Sequence, residues 1–264
     1  FPEFNEKTTT STVMFDYTPK SEGIKKLSVE VKGYKNGIQV NELTIENNKI
    51  SSFVEVKKNK NTIYIFAGSP SPDLSFMNQF FSAKENLDIK AIVHKSTGEF
   101  NEPLPSTAEL NESQAIVLLG FPIVSTPLNV LQIIDKAAEN GVPLFFMSGN
   151  TTDYGKVKTL EKRLPFTVIS ARSQEMTTSL SVKNSPTASS IFSIESLENS
   201  EKAWNQLPPI FRQELFVKVK PESEILAYQS IGNNQLSEPM ALSRIFQNER
   251  SFAMLGYGLH RWKL

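Results

Sequence analysis

The chain contains no cysteine among its 264 residues. That absence excludes disulfides, thiolate metal sites and a cysteine nucleophile, but leaves the compartment open, because many exported bacterial proteins also lack cysteine. Histidine is nearly as scarce. His94 and His260 are the only two, so an all-histidine metal site is impossible and no metal is expected. An excess of either charge is missing too: Lys+Arg and Asp+Glu both number 28, for a net charge of +0. Such a balance offers no field to steer nucleic acid or an anionic membrane. No apolar run approaches the roughly 20 residues of a membrane span, and the opening FPEFNEKTTT has neither the basic nor the apolar part of a signal peptide. With no initiator methionine, the expectation is a fragment or a processed form, any membrane contact being made by segments outside this chain.

What is present is ordinary globular composition, 39% hydrophobic and 21% charged, with a change of pattern near residue 60. Residues 1–58 are β-rich: 12–17 (TVMFDY), 26–32 (KLSVEVK) and 50–57 (ISSFVEVK) alternate in part with period 2 between turn clusters. The expectation is a few antiparallel strands forming part of an immunoglobulin-like sandwich. After a solvated linker at 57–61 (KKNKN), short continuous apolar runs recur at 63–67, 89–93, 115–119, 142–147 and 166–169. Continuous apolarity implies strands covered on both faces, as in a parallel sheet. Between the runs lie helix signals. Ser71-Pro72 opens one helix with Leu74, Met77, Phe80 and Phe81 on a face; Thr126 caps the next, Pro127 fits its first position and Gly141 closes it. Alternating strands and helices predict an α/β fold for 62–264, three-layered and flavodoxin-like. A polar stretch at about 171–203 reads as loops or an insertion, and 225–229, 241–246 and 251–256 as a β meander completing one sheet edge.

In such sheets ligands meet the carboxyl ends of the strands. The residues there are Gly68-Ser69-Pro70, His94-Lys95, Gly120-Phe121-Pro122 and Ser148-Gly149-Asn150. Gly68, Ser69, Gly120, Ser148, Gly149 and Asn150 are therefore the ligand-binding candidates. No cofactor is expected, because GSPSPD lacks the glycine spacing of a dinucleotide fingerprint and no G-x-x-x-x-G-K occurs.

QAIVLLGFP followed by a helix and NGVPLFFMSGN resembles the class I glutamine amidotransferase-like domain. There a strand ending in Gly-Gly-Pro leads to Gly-x-Pro and a nucleophile elbow. On that resemblance Ser148 stands in the place of the family's cysteine, His260 in that of its histidine, and Trp262 where the family has glutamate. The stretch NELTIENNKISSFVEVK, the run Trp204 to Pro209 (WNQLPP) and the close GYGLHRW resemble uncharacterised bacterial envelope proteins in which an Ig-like module precedes such a domain. The resemblance implies an extracytoplasmic, membrane-tethered, non-catalytic binding or assembly module, with an unknown protein or small molecule as partner. Two alternatives stay open, a serine-dependent amidohydrolase or esterase using Ser148 and His260, and a small-molecule sensor.

For each candidate a structural reading stands beside the functional one, and it is the expected one. Ser148 is expected to cap a strand-to-helix turn. In the enzymatic reading, Asp153 or Glu175 would have to orient His260 in place of the missing glutamate. His94 is expected in a solvent-facing loop, and Asp73 in the first turn of a helix, where the dipole favours a carboxylate. Phe76, Phe80 and Phe81 read as core, and Trp204 as packing.

Overall fold

The computed structural model describes residues 10, 12–21, 23–40, 44, 46–56, 61–95, 98–193, 203–204, 207–232 and 234–262. The chain divides into two compact units, Phe1–Asn59 and Lys60–Leu264. In the first, strand β1 (Gly23–Glu30) is followed by a small hairpin, β2 (Tyr34–Lys35) and β3 (Ile38–Gln39), and then by β4 (Lys49–Val56), which pairs antiparallel with β1. Asn36 and Gly37 turn the hairpin at φ of 50° and 79°, the left-handed region that a two-residue hairpin needs. The β1–β4 register sorts the side chains by face. Leu27 and Val29 share a face with Ile50, Val54 and Val56, and also with Lys25 and Ser52, while Lys26, Ser28 and Glu30 share the other with Phe53, Ser51, Lys49 and Ile24. The strand expected at 12–17 does not form; these residues are irregular, with Met14 and Phe15 exposed. Alternation alone makes no strand without a neighbour to accept its backbone hydrogen bonds.

The second unit is built on one nine-stranded sheet. In chain order its elements are β5 (Asn61–Ala67), α1 (Pro72–Ser82), β6 (Leu87–Val93), α2 (Thr107–Asn111), β7 (Ala115–Leu119), α3 (Leu128–Glu139), β8 (Leu144–Met147) and α4 (Tyr154–Val157). Then follow β9 (Phe166–Val182), α5 (Pro186–Ile191), β10 (Ile210–Val219), β11 (Ser223–Ile231), β12 (Asn234–Phe246), β13 (Glu249–Met254) and a 3-10 turn at Leu259–Trp262. The spatial order is β10-β9-β11-β12-β13-β8-β7-β5-β6. The pairs β13–β8, β8–β7, β7–β5 and β5–β6 are parallel, and the pairs on the far side of β13 are antiparallel. Mixed α/β architecture around one large sheet follows directly.

The apolar runs of β5, β7 and β8 are largely buried on both faces, as inner parallel strands must be, whereas β6, at the sheet edge, leaves Lys90 exposed. Ile63, Ile65 and Ala67 pack with Leu74 of α1 and Ala188 of α5. The intervening Tyr64 and Phe66 pack with Val130, Leu131 and Ile134 of α3 and Val157 of α4. Each fully buried side chain of this size stabilises by about 1.5–3 kcal/mol. Ser71 caps α1, accepting a hydrogen bond from Leu74 N at 3.2 Å. Phe80 of that helix points to solvent, while Met77 and Phe81 pack, because Phe80 falls a residue out of the i, i+3, i+7 stripe.

Four expectations are corrected. The cap of α3 is Pro127 rather than Thr126, whose hydroxyl instead accepts from Ile123 N at 2.9 Å and closes the preceding turn. The run 166–169 opens β9, an antiparallel strand, and the fifth parallel place goes to β13. The polar stretch from 171 continues β9 to Val182, where Leu180 is buried and residues 179–182 pair with β11; its remainder includes 194–202, outside the described residues. Finally, β10 went unread, because buried Arg212 and Gln213 interrupt its apolar pattern.

Candidate functional site

The chain leaves β5 to form β6 on one side and returns to form β7 on the other, so the carboxyl ends of β5 and β7 are the topological switch point where open sheets receive ligands. Here the space is taken by backbone. A Cβ on Gly68 would lie 2.1 Å from Gly120 O, and one on Gly149 would lie 2.6 Å from Gly120 Cα. The close approach of Gly120 leaves no room for a side chain at Gly68 or Gly149, and Gly120 itself sits at φ of 57°, the left-handed region that favours glycine. Their N–H groups are also engaged: Gly68 donates to Leu119 O (3.0 Å), Gly120 to Met147 O (2.9 Å) and Gly149 to Thr152 Oγ1 (2.9 Å). None of the three is left to hold an oxyanion or a phosphate. Ser69 is half-buried beside them, and Asn150 is exposed, its carbonyl accepting from Gln213 Nε2 at 3.1 Å.

Ser148 follows β8 directly, and its N–H extends the ladder to Met254 O at 3.0 Å. The side chain is 1% exposed. Its hydroxyl accepts from Tyr154 Oη at 3.0 Å, so the expected turn-capping role belongs to other residues. Thr152 closes the turn, and Asp153 caps α4, its Oδ1 accepting from Gly155 N and Lys156 N at 2.8 and 3.2 Å. Burial pushes the Tyr154 phenol up to about 12, against the opposing hydrogen bond to Ser148 and the charge of Arg212. It stays protonated at neutral pH and offers Ser148 no base.

No hydrogen bond joins Ser148 to His260. The imidazole is held by Asp73, whose Oδ1 lies 2.8 Å from Nδ1 and also accepts from His260 N at 2.8 Å, while Oδ2 accepts from Gly258 N at 2.6 Å. Asp73 is in the first turn of α1, as expected, but its buried carboxylate serves the C-terminal 3-10 turn. The carboxylates named from the sequence as possible orienters are engaged elsewhere, Asp153 as a cap and Glu175 as the acceptor of the Tyr257 hydroxyl. Trp262, in the place of the family's glutamate, stacks edge-on with Trp204 at 5.3 Å and donates to Pro208 O at 2.8 Å. Trp204 also contacts Phe192 edge-on and donates to its carbonyl, so it packs as expected.

His94 is buried, not in a solvent-facing loop. It bridges to Phe100, and its ring lies 4.7 Å from that of Phe100 and 6.5 Å from that of Phe121. Nδ1 bonds Lys95 O, and Nε2 has no partner. The residues that sequence reasoning missed are Tyr154, Arg212 and Gln213. Arg212 is 1% exposed and donates to Pro239 O and Leu215 O, both at 2.8 Å, with no carboxylate in ion-pair reach. Burial lowers it to about 10. A buried arginine beside a buried tyrosine leaves no spacing signal in sequence. Among the described residues no group of three or more metal-ligating side chains converges, and no helix is long and apolar enough to cross a membrane.

No protein-family model matches the chain, and no curated protein does. Among solved structures it is similar to a ThuA-like protein from Parabacteroides merdae, at 10% identity and a TM-score of 0.47, over 74% of this chain and 79% of that one. It is similar also to Agd3, a carbohydrate deacetylase, at 11% identity and a TM-score of 0.45, over 75% of this chain. A third likeness is to Gan42B, a GH42 β-galactosidase from G. stearothermophilus, at 8% identity and a TM-score of 0.46, over 79% of this chain. The chain spans 29% of the length of each of the last two. The resemblance drawn from sequence is not sustained: no family model supports it, and the nine-stranded mixed sheet fits an amidotransferase-like fold only weakly. The fold class is thus a mixed α/β sheet with helices packed on it.

Proposed function

We propose that the chain is a non-catalytic binding or assembly module of a protein tethered to a membrane outside the cytoplasm. The observation that carries the non-catalytic part is Ser148, buried and already accepting the hydrogen bond of a phenol that cannot act as a base. A serine hydroxyl becomes a useful nucleophile only beside an oriented base, and neither imidazole reaches Ser148: His94 packs against Phe100 and Phe121, and His260, oriented by Asp73, makes no hydrogen bond to the serine. The hydrolase alternative has the Asp73-oriented imidazole in its favour and lacks a hydrogen bond from that imidazole to Ser148, whose hydroxyl accepts from Tyr154. The absence of cysteine is compatible with placement outside the cytoplasm without deciding it, and the measure of that placement is protease accessibility in intact cells. Two finer readings of the fold belong to the same proposal. The five parallel strands, in the order 2-1-3-4-5, support a flavodoxin-like reading of that half. The sorted faces of β1 and β4 support half of an Ig-like sandwich. The test of the functional reading is exposure of the folded chain to a fluorophosphonate probe, followed by peptide mass analysis. No adduct is expected on Ser148; an adduct there, lost in Ser148→Ala, would overturn the non-catalytic reading.

A further inference from the structure

Two Asn-Gly pairs occur in the chain, Asn36-Gly37 and Asn140-Gly141. An asparagine followed by glycine is open to an internal reaction, because no Cβ on the glycine screens its backbone nitrogen from the neighbouring amide carbon. The fold treats the two pairs differently. Asn36 and Gly37 form the exposed turn between β2 and β3. A Cβ built on Gly37 would meet nothing within 4 Å, and neither its N–H nor the Asn36 amide has a partner among the described residues. The turn is closed by two ladder pairs, Tyr34 with Gln39 and Lys35 with Ile38, and by the bond from Val40 N to Gly33 O at 2.9 Å. Such a hairpin is marginal by itself, so a local opening that swings the Gly37 nitrogen onto the Asn36 amide costs little. Asn140-Gly141 is fixed at every point the reaction would use. Asn140 ends α3 with its N–H bonded to Lys136 O at 3.1 Å, its amide donates to Asn111 Oδ1 at 3.1 Å, and its carbonyl accepts from Asn248 Nδ2 at 3.4 Å. The Gly141 nitrogen donates to Ala138 O at 3.1 Å, and a Cβ there would lie 2.3 Å from Asn248 Nδ2.

We propose that Asn36 is a site of spontaneous deamidation, a slow and irreversible charge switch in the first unit. The Gly37 nitrogen attacks Cγ of Asn36 and closes a succinimide ring, while the side-chain nitrogen takes the Gly37 N–H proton and leaves as ammonia. Water then opens either ring carbonyl. One product is aspartate; the other is isoaspartate, in which the main chain runs through Cγ and is one methylene longer. Both replace a neutral amide by a carboxylate beside Lys35, in a chain whose net charge is +0. Isoaspartate also breaks the turn, because a lengthened link cannot keep the register of a two-residue hairpin. The test is incubation of the whole chain at mildly alkaline and at mildly acidic pH, followed by peptide mass analysis that separates aspartate from isoaspartate. Asn36 is expected to convert to both products, faster in alkali because the attacking nitrogen must lose its proton. Asn140 should react at least about tenfold more slowly, since it is reached only through a costlier opening. Unfolding in urea should bring the two rates together. Gly37→Ala, which keeps the amide but screens the nitrogen, should slow the reaction several-fold even though it loosens the turn. No conversion at Asn36, equal rates at the two asparagines in the folded chain, a gap that survives in urea, or a rate unchanged by Gly37→Ala would each overturn the proposal.

Discussion

Tyr154 sits where a phenolate is hard to form, and the consequence is measurable. The gap between about 12 and the ordinary 10.0 corresponds to roughly 2–3 kcal/mol. The folded state holds this proton more tightly than the unfolded chain. Its stabilisation is therefore complete below about pH 10 and is lost as pH rises toward about 12. The difference between the alkaline absorbance titrations of the wild-type chain and Tyr154→Phe should show one tyrosine ionising near pH 12; ionisation near 10 would place the ring in solvent. Arg212 contributes with the opposite sign. Its guanidinium is destabilising at neutral pH because burial lowers it to about 10, and that penalty is relieved as pH climbs past 10. Two carbonyls, and no acid, satisfy it.

At the scale of elements, the join between α1 and the C-terminal 3-10 turn is made by one carboxylate. Asp73 collects two backbone N–H groups and an imidazole nitrogen. Asp73→Ala would leave the N–H groups of Gly258 and His260 without an acceptor in a largely buried setting, so a loss of about 2–4 kcal/mol is expected by urea denaturation. Asp73→Asn, which keeps an acceptor but not the charge, should lose less; equal losses would mean that the charge carries the join and a neutral acceptor adds nothing to it. The glycine contacts belong to the same scale. Three loops meet within van der Waals distance because Gly68 and Gly149 bring no Cβ against the backbone of Gly120, which turns at positive φ.

Across the whole molecule, the amino ends of the strands are tied by charge and the carboxyl ends by backbone packing. Arg163 pairs with Asp135 and Glu139, both at 2.9 Å, and with Glu249, which also receives Arg244 at 2.9 Å; Arg244 in turn reaches Glu222 at 2.9 Å. Shared, mostly shielded partners make this a network rather than a set of surface pairs. Among its described residues the first unit has no comparable core. Its described strands form two two-stranded ladders, and Val29, Ile50 and Val54 of the apolar face are exposed. Two-stranded sheets are marginal in water. Hydrogen exchange should therefore find the β1 and β4 amides exchanging orders of magnitude faster than those of β5, β7 and β8; comparable protection would show a core in the first unit that its exposure does not suggest.

Where side chains declare themselves locally, the sequence was sufficient. Continuous apolar runs marked β5 to β8, because strands buried on both faces admit no polar alternate, and Ser71-Pro72 marked the start of α1. The position of Ser148 at the end of β8 was legible for the same reason. Its partner was not, since a hydrogen bond to Tyr154 depends on how a four-residue helix folds back over the strand. Nor was the bond from Asp73 to His260 legible, which joins residues 187 positions apart. Buried Arg212 and Gln213 hid β10, because tertiary contacts satisfy polar groups that the local pattern counts as exposed. Composition and periodicity determined the class of the sheet; only tertiary structure decided which polar atoms meet.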